Sequence, residues 1–449
     1  MLKNALLALT LLVSTICVGQ KSTAKKSHAI PYTLKIDKQI SDTALVDLVQ
    51  KQTLRYFWDF AHPVSGLARE RSNESFNYGN EVVTTGGTGF GIMAIIAGVN
   101  RGWIERDTAA RFLLKMTRFL YKADAYHGVF PHWFDGATGK TIPFSRKDDG
   151  ADLVESAFLF QGLLCARQYF DRDNDVERQL RGRINGLWND VEWDWFTRGG
   201  QEVLYWHWSP NNGWAMNFPL RGFNECLITY VLAAAAERYP VSSRVYHRGW
   251  AQGRFFTNGK TFYNYELPLG TDYGGPLFFS HYSFLGLSPK GLTDQYADYW
   301  KQNQNHSLIN YAYCVDNPKS FKGYGENCWG LTASDTYNGY NAHSPTNDHG
   351  TITPTAALSA FPYTPSQSMK ALRHFYVDLG DKIWSEYGFV DAFNETKNWY
   401  AQSHLAIDQG PIVVMIENYR TGLLWRLFMS CPEIQGGLKK LGFKSAYFK

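Results

Sequence analysis

The chain has 449 residues, with 45 Lys and Arg against 41 Asp and Glu, a formal charge of +4 at neutral pH. The excess is Lys3, Lys21, Lys25 and Lys26; beyond them 41 basic side chains balance 41 acidic ones. A neutral body excludes the clustered cations that drive nucleic-acid binding by counterion release, and does not favour a polyanionic polysaccharide.

Residues 1–20, MLKNALLALTLLVSTICVGQ, hold Lys3 and then an apolar run. That run is about a dozen residues long, the length of a signal-peptide core and short of a bilayer span. Export to the periplasm is expected, with a signal peptide over 1–20, a tail over 21–40, one catalytic domain over 41–449 and no membrane insertion. Ile16 before Cys17 disfavours lipid anchoring. Cys165, Cys226, Cys314, Cys328 and Cys431 show no paired spacing, and no disulfide is expected.

From Ser41 onward apolar helical runs alternate with loops rich in Gly, Pro, Asn, Trp and Tyr. Residues 43–61 read as an amphipathic helix. The run at 89–103 is apolar, 105–123 is striped, 151–170 is apolar again, and 175–193 is striped again. Further helical runs are read at 223–240, 274–287, 325–335, 353–363, 366–384 and 409–430. A helix apolar on every face must be buried, whereas a striped one covers it from outside. Alternation of the two predicts an all-α fold, an (α/α)6 barrel of inner and outer helices. The stretches 260–274 and 387–394 read as short β-hairpins in its long loops. Gly86, Gly87 and Gly89 open one inner helix, either to let backbone amides approach a ligand or to pack tightly.

Three acidic sites stand out. Asp148, Asp152 and Glu155 fall at i, i+4 and i+7 near the start of an apolar helix, a spacing that puts three carboxylates on one face. Helix starts also favour acids as caps, but Leu153, Val154, Phe158 and Leu159 leave this helix little water. Glu225 is read one turn into the next apolar helix, with Arg221 at i−4 as an alternative partner. It follows an aromatic loop holding Tyr205, Trp206, Trp208 and Trp214. Flat aromatic faces stack on sugar rings and a carboxylic acid protonates a glycosidic oxygen, so the stretch reads as carbohydrate hydrolysis with Glu225 as acid. Asp408 lies just before the last apolar helix, as cap or site residue. Glu417 and Arg420 read as an ion pair.

Other motifs are weak. Residues 171–182 imitate a calcium loop but lack its Gly and its final Glu. HExxH, GxSxG and a phosphate loop are absent, His127 and His132 read as loop support or sugar contacts, and neither metal nor cofactor is expected.

Several ordered blocks carry a resemblance. They are GLARERSN (66–73), TGGTGFGIMAIIAGVNRGWI (85–104), HGVFPHWFDGATGK (127–140), GADLVESAFLFQGLLCARQYF (150–170), RGFNECLITYVLAA (221–234), CWGLTASD (328–335) and DQGPIVVMIENYRTGLLW (408–425). In these the chain resembles the glucoamylase-like family, and within it the bacterial β-1,2-glucanases of glycoside hydrolase family 144. The resemblance implies an (α/α)6 barrel and hydrolysis of linear β-1,2-glucan to sophorose and short β-1,2-gluco-oligosaccharides. It places the important acids at Asp148, Asp152, Glu155, Glu225 and Asp408, with Glu225 as proton donor. Many broader relatives have Asp-Thr where this chain has Glu155 and Ser156, which favours the glucanase branch. Inversion is expected, with the general base sought first at Asp148 or Asp152 and next at Asp408. Arg69, Arg71, Trp133, Tyr205, Trp206, Trp214 and Trp399 are expected along the substrate groove, about half of the tryptophans serving only as loop anchors. The chain is taken as a monomer. Endo and exo action share these motifs. The competing readings are a polysaccharide lyase and an outer-membrane glycan-binding protein.

Overall fold

Helices alternate with long loops from Asp42 to the C-terminus in the computed structural model, which describes residues 29–73, 79–253 and 255–448. The expected signal peptide lies outside the described residues. Part of the expected tail is docked: Trp384 donates its indole N–H to the Thr33 carbonyl at 2.9 Å, and Ile30 is buried in the core.

The principal helices are α1 (Asp42–Trp58), α2 (Thr85–Asn100), α3 (Arg106–Leu120), α4 (Leu153–Tyr169), α5 (Asp175–Asn189), α6 (Leu227–Ala235), α7 (Tyr299–Asp316), α8 (Pro354–Ser359), α9 (Pro365–Arg373), α10 (Ala406–Thr421), α11 (Leu423–Met429) and α12 (Pro432–Lys440). They form an (α/α)6 barrel. All of α6 and α8 and nearly all of α2, α4 and α10 is buried, whereas α3, α5, α9 and α12 bury one stripe. The inner helices meet in turn: α6 on α4, α4 on α2, α2 on α10, and α10 on α8. No described helix is long and apolar enough to cross a membrane.

The sixth inner position departs from the expected helix at 274–287. It holds short 3₁₀ turns, Leu277–Ser280 and Ser283–Leu285, between α6 and α10. Tyr273, Gly274 and Gly275 all have positive φ. The next two amides then turn outward, Leu277 N–H to the Leu331 carbonyl and Phe278 N–H to the Thr332 hydroxyl, so no α-helical ladder starts. Residues 325–335 are likewise no helix but a turn leading into the strand Ala333–Thr336. Conversely, α7 escapes a hydropathy reading because its buried face mixes amides and other polar groups with its apolar ones. Gln302 bonds both the N–H and the carbonyl of Leu269, and Asn310 does the same for Leu331. The hairpin Thr257–Phe262/Tyr265–Leu269 forms where expected, and 384–400 holds two short hairpins. Glu417 and Arg420 do not pair: Glu417 takes Arg101 at 2.7 Å and Arg420 takes Asp47.

Close packing of α2 on α4 rests on glycine. A Cβ at Gly89 would stand 2.1 Å from the Phe158 carbonyl oxygen, and one at Gly162 would stand 2.2 Å from that of Gly89. Gly89→Ala is therefore expected to destabilise the fold by about 1–3 kcal/mol through overpacking. Gly182→Ala, in α5 with nothing within 4 Å, should stabilise it by about 0.5–1 kcal/mol. Urea unfolding of the two variants tests the pair; equal effects would refute the packing argument.

Candidate active site

Inner helices present their N-terminal ends to one cleft. Glu155 in the first turn of α4 accepts the N–H of Gly86 in the first turn of α2 at 2.7 Å, and a Cβ at Gly86 would meet that carboxylate at 2.4 Å. Thr355 at the start of α8 bonds the Asp408 carbonyl at the start of α10, 2.7 Å. The cleft has a volume of about 300 Å³, and its lining includes Glu70, Arg71, Glu155, Glu225, Trp133 and Trp206. Phe158, Phe278, Leu405 and Ile407 give it apolar patches, and Tyr340 hangs half-exposed at its lip.

The first acidic wall is not the helix face expected. Asp148 sits in a turn, and Asp152 lies in the short strand Ala151–Asp152 paired with His207–Trp208. Only Glu155 is helical, yet the pairing still gathers the three. Asp152 caps α4: its Oδ1 accepts from Val154 N–H at 3.1 Å and Glu155 N–H at 2.9 Å, and from the Trp206 indole at 2.8 Å. Its Oδ2 is 2.8 Å from His132 Nδ1. Burial would raise Asp152, but the hydrogen bond and charge of His132 outweigh it and the carboxyl is held low. Burial would likewise depress His132; the charges of Glu155 and Asp152 outweigh it and hold the imidazole up at about 9. Asp148, 3.5 Å from His207, is pushed up to about 7 by burial and by the Asp152 charge. Glu155 is raised and His207 lowered, both first by burial.

Glu225 lies in the turn before α6, which begins at Leu227, rather than one turn into the helix. Arg221 is not its partner, since that guanidinium bonds the Arg248 carbonyl. The Glu225 Oε2 is buried with no hydrogen-bond partner, and burial pushes the carboxyl up to about 7. A carboxyl in that range, lining the cleft, can hold a proton at neutral pH.

A second acidic wall was largely missed from sequence. Arg71 pairs with Glu70 at 2.9 Å and Asp335 at 3.1 Å, and Asp391 accepts the Asp335 N–H at 2.7 Å. Asp408, in the first turn of α10, lies beside Asp391. Both its carboxylate oxygens are buried, behind the cleft lining and within reach of Asp391 and Tyr282 though in no well-aligned hydrogen bond, and burial pushes it up to about 7. Burial and the Asp408 charge hold Asp391 far above the usual carboxylate range. Tyr282 joins the two walls: burial raises its hydroxyl, and the charges of Asp408, Glu155 and Glu225 all bear on it. The signal for Asp391 was an acid between Val390 and Ala392 in an apolar hairpin; Glu70 and Asp335 carried none beyond their blocks.

Of the expected groove residues, Arg71, Trp133 and Trp206 line the cleft. Arg69, Tyr205, Trp214 and Trp399 are not in its lining. Arg69 binds the carbonyls of Phe60 and Asn80 at 3.1 and 2.9 Å. Trp214 packs on Tyr205, Phe196 and Trp195, the Tyr205 hydroxyl bonds Gln201, and Trp399 sits in the hairpin against Asn394. The acids of the calcium-like loop are held by arginines, Asp171 by Arg106 and Asp173 and Asp175 by Arg178.

With this geometry in place, the similarities are informative. A structure of an endo-β-1,2-glucanase from Chitinophaga pinensis with sophorotriose and glucose is 54% identical, with a TM-score of 0.89 over 91% of this chain and 100% of that one. The chain belongs to the glucoamylase-like family, in the glycoside hydrolase family 144 branch. The family model described as "Putative glucoamylase" matches residues 217–432. A putative glucoamylase structure from Bacteroides uniformis is 61% identical, with a TM-score of 0.90 over 92% of this chain and 100% of the other. An exo β-1,2-glucooligosaccharide sophorohydrolase (non-reducing end) from Parabacteroides distasonis is 48% identical over 423 residues, 90% of this chain; the chain spans 58% of that relative's length.

Proposed function

We propose that the chain is a glycoside hydrolase that cleaves linear β-1,2-glucan internally, an endo-β-1,2-glucanase, and releases sophorose and short β-1,2-gluco-oligosaccharides by inversion. The carrying observation is Glu225, a carboxyl at about 7 whose buried Oε2 has no hydrogen-bond partner and which lines a sugar-sized cleft with aromatic walls. The 54% identity to the Chitinophaga pinensis endo-glucanase along that whole chain supports the substrate class.

In this reading Glu225 protonates the leaving oxygen and a carboxylate of the second wall takes a proton from water on the other face of the ring. We place that base at Asp408, whose oxygens have no well-aligned partner, rather than at Asp152, whose oxygens are taken by His132, Trp206 and the start of α4. The charges of both donor and base bear on the Tyr282 hydroxyl. Trp133 and Trp206 supply stacking faces, and Arg71, fixed by Glu70 and Asp335, offers donors to sugar hydroxyls.

An acid that must be protonated and a base that must be ionised, both near 7, give a narrow bell. The kcat/KM is expected to fall as pH rises above about 7, when Glu225 loses its proton, and to fall as pH drops below it, when Asp408 gains one. A profile flat to alkaline pH would exclude the pair.

Exo release of sophorose is the second reading, favoured by the Parabacteroides distasonis relative. Chromatography of products from β-1,2-glucan, beside β-1,3-glucan and starch, separates the two. Ladders of intermediates mark endo action, and one dimer from the first minutes marks exo action. Export to the periplasm is proposed from residues 1–20 alone, and cell fractionation tests it.

A further inference from the structure

Outside the cleft, one cluster of side chains has the donor set of a metal site. Cys328, in the turn before the strand Ala333–Thr336, His374, just after α9, and Glu395, in the hairpin Phe393–Asn394/Trp399–Tyr400, bring one ligand atom each within 4.8 Å of one another. They come from a turn, the helical segment His374–Asp378 and a hairpin, far apart in sequence, which is why no motif announced them.

The second observation is an orphan. His374 Nδ1 is held by Asp378 at 2.8 Å, which leaves Nε2 as the free ring nitrogen, and Nε2 is buried with no hydrogen-bond partner. A buried imidazole nitrogen left unmatched costs about 1–3 kcal/mol. A ring whose other nitrogen is fixed by a carboxylate is the usual arrangement of a metal-ligating histidine. Cys328 is also buried. Three nearby cations are matched elsewhere: Lys370 pairs with Glu326 at 3.0 Å, Arg373 with Asp42, and Lys382 bonds the Tyr400 hydroxyl at 2.8 Å, while Lys38 lies beside His374 and Asp378.

We propose that Cys328, His374 and Glu395 form a zinc site, with Asp378 as the carboxylate that orients His374. One thiolate, one imidazole and one carboxylate suit borderline-soft Zn²⁺ in a tetrahedron whose fourth position takes water, and they do not suit Ca²⁺ or Mg²⁺, which take oxygen ligands. Binding releases the thiol proton to solvent. The ion ties the hairpin after Asp391 to the turn before Asp335, so its role is to hold the loops of the second acidic wall. Zinc binding does not depend on the hydrolase reading, because the cluster shares no residue with the cleft lining.

Co²⁺ alone, titrated into the full-length chain after chelator treatment, tests the site. One equivalent should give a thiolate-to-cobalt charge-transfer band in the near ultraviolet, bleached by Zn²⁺. The band should vanish in Cys328→Ser. In Asp378→Asn, Co²⁺ affinity should fall by about 10–100-fold while the band keeps its shape. Absence of a band in the wild type, or its survival in Cys328→Ser, overturns the proposal. Should Cys328→Ser fail to fold, Glu395→Gln serves instead: unchanged cobalt affinity in that variant also overturns it.

Discussion

Glu225→Gln is expected to lower kcat on β-1,2-glucan by about 10²–10⁴-fold, the usual contribution of a positioned general acid, with little change in KM. Gln fills the same space at the mouth of α6 but has no proton to give. The same variant should become more stable at alkaline pH. The Glu225 carboxyl sits at about 7 in the fold against an ordinary 4.5, so the protonated form is the one the fold prefers. Its contribution is fully present below about 4.5 and is lost as pH rises through about 7, when a buried charge must form without a partner. At pH 8 the ionised group then costs about 3 kcal/mol, from about 1.4 kcal/mol per pH unit, and Gln removes that cost. Wild type and variant should therefore melt together near pH 4, with the variant a few degrees higher at pH 8. A variant with slow turnover and no alkaline gain in Tm would show that Glu225 is not the buried, protonated group described. Retained turnover would remove it from the acid role.

Asp152→Asn is expected to act in the opposite direction on stability. Asn still caps α4, so the change isolates the charge that holds His132 and Trp206 in place. The Asp152 carboxyl is held low, so its contribution is present above its ordinary range and is lost as pH falls; His132 is held up at about 9, so its contribution is lost as pH rises through 9. The variant should be less stable by about 3 kcal/mol between those limits, the low end for removing one partner of a buried pair. The gap should close at both extremes. Its kcat should fall by about 10²-fold, the scale of a misplaced catalytic wall. Tm followed against pH checks the first statement and steady-state kinetics the second. A gap that persists above pH 9 would mean that His132 is not the partner that matters.

Periodicity was enough for the inner helices because burial on every face leaves a sequence signature: α2 and α6 are apolar almost without interruption, and α4 and α10 hold long apolar runs between polar ends. It failed wherever a buried element pairs its polar groups internally. The α7 helix buries Gln302, Asn303, His306 and Asn310, which a hydropathy reading assigns to a loop, and the run at 274–287 is apolar but hands its amides to a neighbouring loop. Glu155, Glu225 and Asp408 were legible as isolated acids at the starts of apolar helices. Glu70, Asp335 and Asp391 went unread: Glu70 and Asp391 lie between elements and Asp335 in a short strand of a long connection, where a single acid is ordinary. The seven expected groove residues divided for the same reason: an aromatic loop announces that aromatics are present, and only packing decides whether Trp206 faces the cleft or Trp214 faces Tyr205.

By itself the sequence determined the alternation of buried and striped helices, the electroneutral body and the placing of single carboxylates at helix mouths, since these are local properties of composition and period. Only the tertiary structure decided which carboxylates gather at one cleft and which act on one another's charge. The strand pair that brings Asp152 against His207, the contact of Asp152 with His132, the Tyr282 hydroxyl on which Glu225 and Asp408 both bear, and the packing that sets His374 near Cys328 each join residues from distant segments. The pKa of a buried acid depends on those neighbours, and no window along the chain contains them.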